Sequence, residues 1–247
     1  MKTNILDKTG KKKGGIELPK NFSGEIRQDI LQKAYEVEKK SLMAVWGAKP
    51  GAGAQYSASG ILKHRRHAWK TTYGKGISRI PRKIFSRSGS SFNWEGATVS
   101  NTRGGRNTTA PKAIKNLIKK INKKEWKIAF DSAFAGAKGK IVFDGAVLEL
   151  KTKEFLVVLR KSFGEDYEKV LKKKSIRAGK GKSRGRKYKS NAGLLFIVSS
   201  KEEMKRSGIE VVKVNELALG DLTLGGQIGR LVCFSEDAVK EIGEVFK

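Results

Sequence analysis

Residues 193–200 read GLLFIVSS, and the five consecutive apolar residues Leu194–Val198 decide the fold. A strand with one face in water alternates apolar and polar side chains, whereas an unbroken apolar run bounded by turn residues reads as a strand buried on both faces. Downstream, IEVVKV (209–214) and RLVCF (230–234) read as further strands. Ser200, with Glu203 three residues later, marks a helix start, and Ser235 opens a terminal helix with Ala238, Val239, Ile242 and Phe246 on one face.

Upstream the same alternation continues. Asn122 caps a strongly periodic helix, with Glu125 placed to close a capping box and Trp126, Ala129, Phe130, Ala133, Phe134 and Ala137 turned inward. The strand-like KIVFDGAVLEL (140–150) follows, then a helix from Thr152 that buries Phe155, Leu156 and Leu159. At the start, NIL (4–6) and IEL (16–18) flank a turn-rich stretch and predict a hairpin. A helix of about 20 residues is expected from Ser23, with Ile26, Ile30, Ala34, Val37 and Val45 on one face. Strands alternating with helices predict an α/β fold: a mostly parallel sheet flanked by helices, three-layer and Rossmann-like. One long extended internal loop interrupts it. The expected organisation is a globular α/β domain from 1–46 and 113–247, with 47–112 as that loop, and no internal repeat.

Between Gly47 and Lys112 neither a helical nor a strand period is legible. The segment holds 13 Lys or Arg, one acid, ten glycines and six aromatics. Loops longer than about 15 residues in a compact domain are functional projections or disordered, and this one is expected to be ordered by a partner. A second basic run, KKKSIRAGKGKSRGRKYK (172–189), carries ten positive charges and no acid. Over the whole chain, 53 Lys and Arg against 24 Asp and Glu give a formal charge of +29. Nucleic acid is the default partner of such a field. The long basic segment is either a flexible loop that holds any nucleic acid loosely or a shaped RNA reader, and its interleaved rings favour the second. The run at 172–189 reads equally well as a solvated charged loop.

Other classes are disfavoured. The apolar runs are too short to span a membrane and no basic amphipathic helix is evident, so no membrane partner is expected. No secretory signal is read at the start, and the one cysteine, Cys233, lies in a strand as a small buried thiol, which fits a reducing cytosol. His64 and His67 have a metal-like spacing, but Arg65 and Arg66 between them repel a cation, and no metal is expected. The glycine clusters lack the order of a nucleotide-binding loop and the acids show no paired carboxylates, so neither a cofactor nor an enzyme is expected.

SGEIRQDIL (23–31), GISRIPRK (76–83), RGGRNTTAPK (103–112), IRAGKGKSRGRKYK (176–189) and LGGQIGRLVCFSEDAV (224–239), in this order, resemble the universal large-subunit ribosomal protein L-four family in its archaeal and eukaryotic form. The resemblance implies an α/β domain on the large-subunit surface, at one copy per ribosome in the cytoplasm. It implies a long loop passing through ribosomal RNA to the nascent-peptide exit tunnel, beside ribosomal protein L-twenty-two. On this sequence SRIPRK (78–83) is the approach, the tip lies between Ile84 and Thr102, and RGGRN (103–107) is the return. Arg79, Arg82, Lys83, Arg87, Arg103 and Arg106, joined by Lys63, Arg65 and Arg66, are expected to hold the loop against phosphates. Lys182, Arg184, Arg186 and Lys187 are expected to clamp a second RNA segment, and Phe85, Phe92 and Trp94 to stack or to line the tunnel. GILKHRRHAWKTT (60–72) is longer and more basic than the family's segment, and an end at Lys247 fits the archaeal type better than the eukaryotic. A non-ribosomal RNA chaperone or assembly factor, and an RNA-modifying enzyme with a pocket at the strand ends, remain open alternatives.

Overall fold

Strands that are apolar on both sides need cover on both sides, and the computed structural model, which describes residues 2–68, 70–89, 91–204 and 208–246, provides it. In chain order the first elements are β1 (Lys2–Leu6), β2 (Lys12–Glu17), α1 (Gln28–Ser41), β3 (Arg82–Ser88), β4 (Ser91–Gly96), α2 (Lys123–Gly136), β5 (Lys138–Phe143) and α3 (Thr152–Phe163). Then come α4 (Tyr167–Val170), β6 (Lys174–Ile176), β7 (Tyr188–Ser190), β8 (Leu195–Val198), β9 (Glu210–Lys213), α5 (Leu219–Leu222), β10 (Leu231–Ser235) and α6 (Glu236–Val245). Two compact units result: 1–42 with 118–247, and 43–117.

In the first unit a six-stranded sheet runs β2-β1-β5-β10-β8-β9. All its pairings are parallel except the edge pair β1–β2. The pleat divides each apolar strand between two cores. Leu195 and Ile197 of β8, with Val232 and Phe234 of β10, enter a core shared with Leu31, Phe130, Phe134 and Ile242. Phe196 and Val198, with Cys233 and Phe143, enter another with Phe155 and Leu159 of α3. Full burial also pushes the Cys233 thiol pKa well up, so this cysteine is a packing residue. The outermost strand, β2, carries Lys12, Lys13 and two glycines, a composition that discourages pairing with another chain.

Helix ends follow side-chain chemistry. Asn122 and Glu125 form the capping box at α2, and Ser235 Oγ accepts from the Ala238 amide at 3.2 Å at α6. At the other end of α2, Lys140 Nζ donates to the Ala135 carbonyl at 2.7 Å, a cation at the negative pole of the helix.

Two expected helices need correction. α1 begins at Gln28, not Ser23, because the chain before it is tied to α2: the Arg27 amide donates to Ser132 Oγ at 3.1 Å. Its buried face is therefore Leu31 and Ala34, while Ile26 and Val45 are exposed. The helix expected at Ser200 is not present at 201–204, and its continuation over 205–207 lies outside the described residues. The groups that would have capped it are engaged elsewhere. The Ser200 hydroxyl and the Ser200 amide both donate to Glu241 of α6, the amide at 2.9 Å.

At the β9 edge, Glu210 accepts from Lys172 at 3.0 Å and from the guanidinium of Arg230, whose side chain is 4% exposed. Burial pushes the Glu210 carboxyl up, but the bonds and charges of Arg230 and Lys172 outweigh it and hold the pKa below the ordinary value. Because the folded pKa is the lower one, ionised Glu210 stabilises the fold above the unfolded value of about 4.3, and that contribution is lost as pH falls through the folded pKa. Glu210→Gln is expected to lower the urea midpoint near neutral pH, with the gap to the native chain closing in acid. A gap that stayed constant with pH would contradict the pairing.

Candidate nucleic-acid interface

Residues 43–117 hold 14 Lys or Arg and one acid, Glu95, whose carboxylate lies 3.8 Å from Lys83 Nζ. One carboxylate cannot neutralise 14 cations, so the unit presents a strongly positive field. Its path runs out and back, with the Ala48 amide donating to the Pro111 carbonyl at 3.0 Å. Arg82 pairs with Ser59, and the Ala97 amide donates to Pro81 at 2.8 Å.

The expectation of no regular structure in this segment is corrected at 82–96. There β3 and β4 pair antiparallel, with Arg82 opposite Gly96, Ile84 opposite Trp94 and Arg87 opposite Phe92. The period-two signal is real but short: Phe92, Trp94 and Gly96 alternate with Ser91, Asn93 and Glu95, which are exposed. Gly89, at φ +57°, takes a left-handed conformation in the connection. Phe92 and Trp94 meet edge to face at 4.7 Å between ring centres.

Several predicted residues come together on these rings. The Arg82 guanidinium lies 4.7 Å from the Trp94 ring centre, and Lys83 Nζ lies 4.2 Å from Tyr56 and 5.3 Å from Phe85. Arg66 covers Tyr73 at 4.9 Å and Lys75 covers Phe92 at 5.8 Å. Arg82 and Lys83 are half-buried, whereas Lys63, Arg65, Arg66, Arg79, Arg87, Arg103 and Arg106 are exposed. Phe85 is 64% exposed, in contrast to the half-buried Phe92 and Trp94. Sequence reasoning did not single out Tyr56, Tyr73 or Lys75; they lie in the same aromatic-basic composition, but spacing does not reveal which cation meets which ring. Among the described residues, no group of three or more His, Cys, Asp or Glu is placed to hold a metal.

The second basic run is a hairpin. β6 and β7 pair Lys174 with Ser190 and Ile176 with Tyr188, and Gly185 turns left-handed at φ +75°. Asn191 ties its base by accepting from the Lys173 amide at 2.6 Å and donating to the Leu171 carbonyl at 3.0 Å. Lys182, Arg184, Arg186 and Lys187 are all exposed on this hairpin. Glu210 holds Lys172 at its start, so the hairpin springs from the β8–β9 edge of the sheet.

Two glycines allow close backbone approach within the 43–117 unit. A Cβ on Gly105 would overlap the Val99 carbonyl oxygen and lie 2.6 Å from Thr102 Oγ1. A Cβ on Gly53, which has φ +78°, would lie 2.6 Å from the Gly105 carbonyl carbon and 2.7 Å from the Arg106 nitrogen. A side chain at Gly53 would push the outgoing and returning backbones apart, and one at Gly105 would open the 99–105 turn of the returning segment.

Comparison with known proteins gives one consistent family. The ribosomal protein L4/L1 family matches residues 16–245. The large ribosomal subunit protein uL4 of Nanoarchaeum equitans is 35% identical over 253 residues, covering 94% of this chain and 93% of its own length. That of Thermoplasma acidophilum is 33% identical, covering 99% and 98% respectively. That of Methanospirillum hungatei is 35% identical, covering 98% and 99%.

The packing at Gly105 makes a local prediction. Gly105→Ala is expected to abolish protection from hydrogen exchange at the Arg106 amide, which donates to the Thr98 carbonyl at 3.2 Å, while leaving the unfolding transition of the sheet unit in place. Gly14→Ala, where a Cβ meets nothing within 4 Å, is the control. Unchanged protection in Gly105→Ala would refute the close approach.

Proposed function

The chain belongs to the ribosomal protein L4/L1 family, and from that membership we propose that it is a structural constituent of the large ribosomal subunit. The observation that carries this reading is a family match over 16–245, together with relatives named as large-subunit proteins that align with nearly the whole chain. The role is architectural: the chain binds large-subunit RNA, supports assembly, and performs no reaction of its own. It acts as a single copy per ribosome, in the cytoplasm.

In this reading the α/β unit is seated at the subunit surface and residues 43–117 are threaded through ribosomal RNA. The exposed Arg79, Arg87, Arg103 and Arg106, with Lys63, Arg65 and Arg66, bind phosphates, and Arg82 and Lys83 stiffen the hairpin through their contacts with rings. Lys182, Arg184, Arg186 and Lys187 hold a second RNA segment. Phe85, exposed on β3, is the ring assigned to the wall of the nascent-peptide exit tunnel, beside ribosomal protein L-twenty-two and in reach of the nascent peptide. Phe92 and Trp94 are assigned to stacking. Two separate basic hairpins, each held at its base, support shaped recognition over the loose binding of an RNA chaperone or assembly factor.

The test is sucrose-gradient sedimentation of native lysate through a high-salt wash, quantifying this chain per large subunit. Neutralising about ten phosphates gives a salt slope of roughly −7 to −9, so a loosely held protein is stripped. About one copy retained per particle is expected for a component embedded in many simultaneous contacts. Recovery at the top of the gradient would overturn the integral role.

A further inference from the structure

Within the 43–117 unit, residues 66–67 and 71–75 and the β3–β4 hairpin line a cleft of about 870 Å³. Ligand sites for small molecules fall at roughly 300–1,000 Å³, so one nucleotide of a strand fits with room for its neighbour's phosphate. Three cations, Arg66, Lys75 and Arg87, line it, and among the described residues no acid does. Three rings, Tyr73, Phe92 and Trp94, line it too. Arg66 lies over Tyr73 and Lys75 over Phe92, so the cations are positioned beside the apolar surfaces. A site for a free anion would need no rings, and a site for an apolar side chain would have no use for three cations in its lining.

We propose that this cleft is a binding site for a single unstacked nucleotide of RNA, its base against the aromatic wall and its phosphates on Arg66, Lys75 and Arg87. The Asn93 amide nitrogen donates to Ser86 Oγ at 3.1 Å, which orients the amide and leaves its carbonyl oxygen to accept from an exocyclic amine of the base. Gly74, at φ +70° with nothing within 4 Å of a Cβ, leaves the turn open on that side for the ribose and the strand's continuation. Buried Thr71 fixes the turn by donating to the Arg65 carbonyl. The inference rests on the RNA-binding reading above and adds to it a place where one base leaves the stack.

The test uses the full chain with two probes: a short single-stranded RNA carrying one 2-aminopurine, and a duplex RNA with the same number of phosphates. Bound single strand should show quenched 2-aminopurine emission. Tyr73→Ala and Phe92→Ala should each weaken single-strand binding about tenfold and relieve the quench, with duplex affinity and the salt slope unchanged. Tyr73→Phe, which keeps the ring, should restore both. Tyr73 lies outside the β3–β4 hairpin, so its variants remain informative if Phe92→Ala unfolds that hairpin. Salt-dependent binding that the ring variants leave intact would overturn the pocket while keeping the RNA-binding reading. Failure of the native chain to bind either RNA would overturn both. Displacement of the oligonucleotide by an uncharged apolar peptide would show that the cleft takes protein and would also overturn the proposal.

Discussion

An unbroken apolar strand has no face it can leave to water, so Leu194–Val198 commits the chain to helices on both sides of the sheet. Everything else is arranged around meeting that demand within residues 1–42 and 118–247. The α1, α2 and α6 side and the α3 side each close one core, and the strands alternate between them residue by residue. A sheet buried in this way does not need residues 43–117 or 172–189 for its core. Those segments can therefore carry a composition that no core would accept.

Charge follows the same division. Of the 24 acids, 23 lie in 1–42 and 118–247, where Glu125, Asp144 and Glu210 meet Lys33, Lys13 and Arg230. The 43–117 unit and the 172–189 hairpin are left with one acid between them. Arg66, Lys75 and Arg82 rest on rings, an arrangement that holds a guanidinium or ammonium in place without a carboxylate. In the proposed role RNA supplies the counter-charge, and at Arg66, Lys75 and Arg82 it has no carboxylate to displace. Partially ordered cations also lose less conformational freedom on binding than free arginines would, which favours a defined fit over loose attraction.

The legible parts of the fold were those where one residue class has one structural outcome. Apolar runs gave β8 and β10, the Asn122–Glu125 pair gave α2, and Ser235 gave α6. The start of α1 was misread because the tie from Arg27 to Ser132 is separated by 105 residues in sequence. The Ser200–Glu203 pattern failed for a similar reason: Glu241, a distant acid, engages Ser199 and Ser200. In the basic segment, composition was readable but pairing was not. β3–β4 has a two-ring alternation flanked by serines and arginines, and the approach of Gly53 to Gly105 joins residues far apart in the chain. Sequence identified the cations as a class; the fold assigned Arg66, Lys75 and Arg82 to particular rings.

In the proposed role the 43–117 unit is embedded in the RNA of a large ribosomal subunit. Electron cryomicroscopy of large subunits purified from cells that make this chain tests it most directly. The account predicts density for 43–117 enclosed by ribosomal RNA, with Phe85 at the tunnel wall and the six-stranded sheet at the particle surface. Subunits lacking this chain, or holding it with 43–117 clear of RNA, would contradict it.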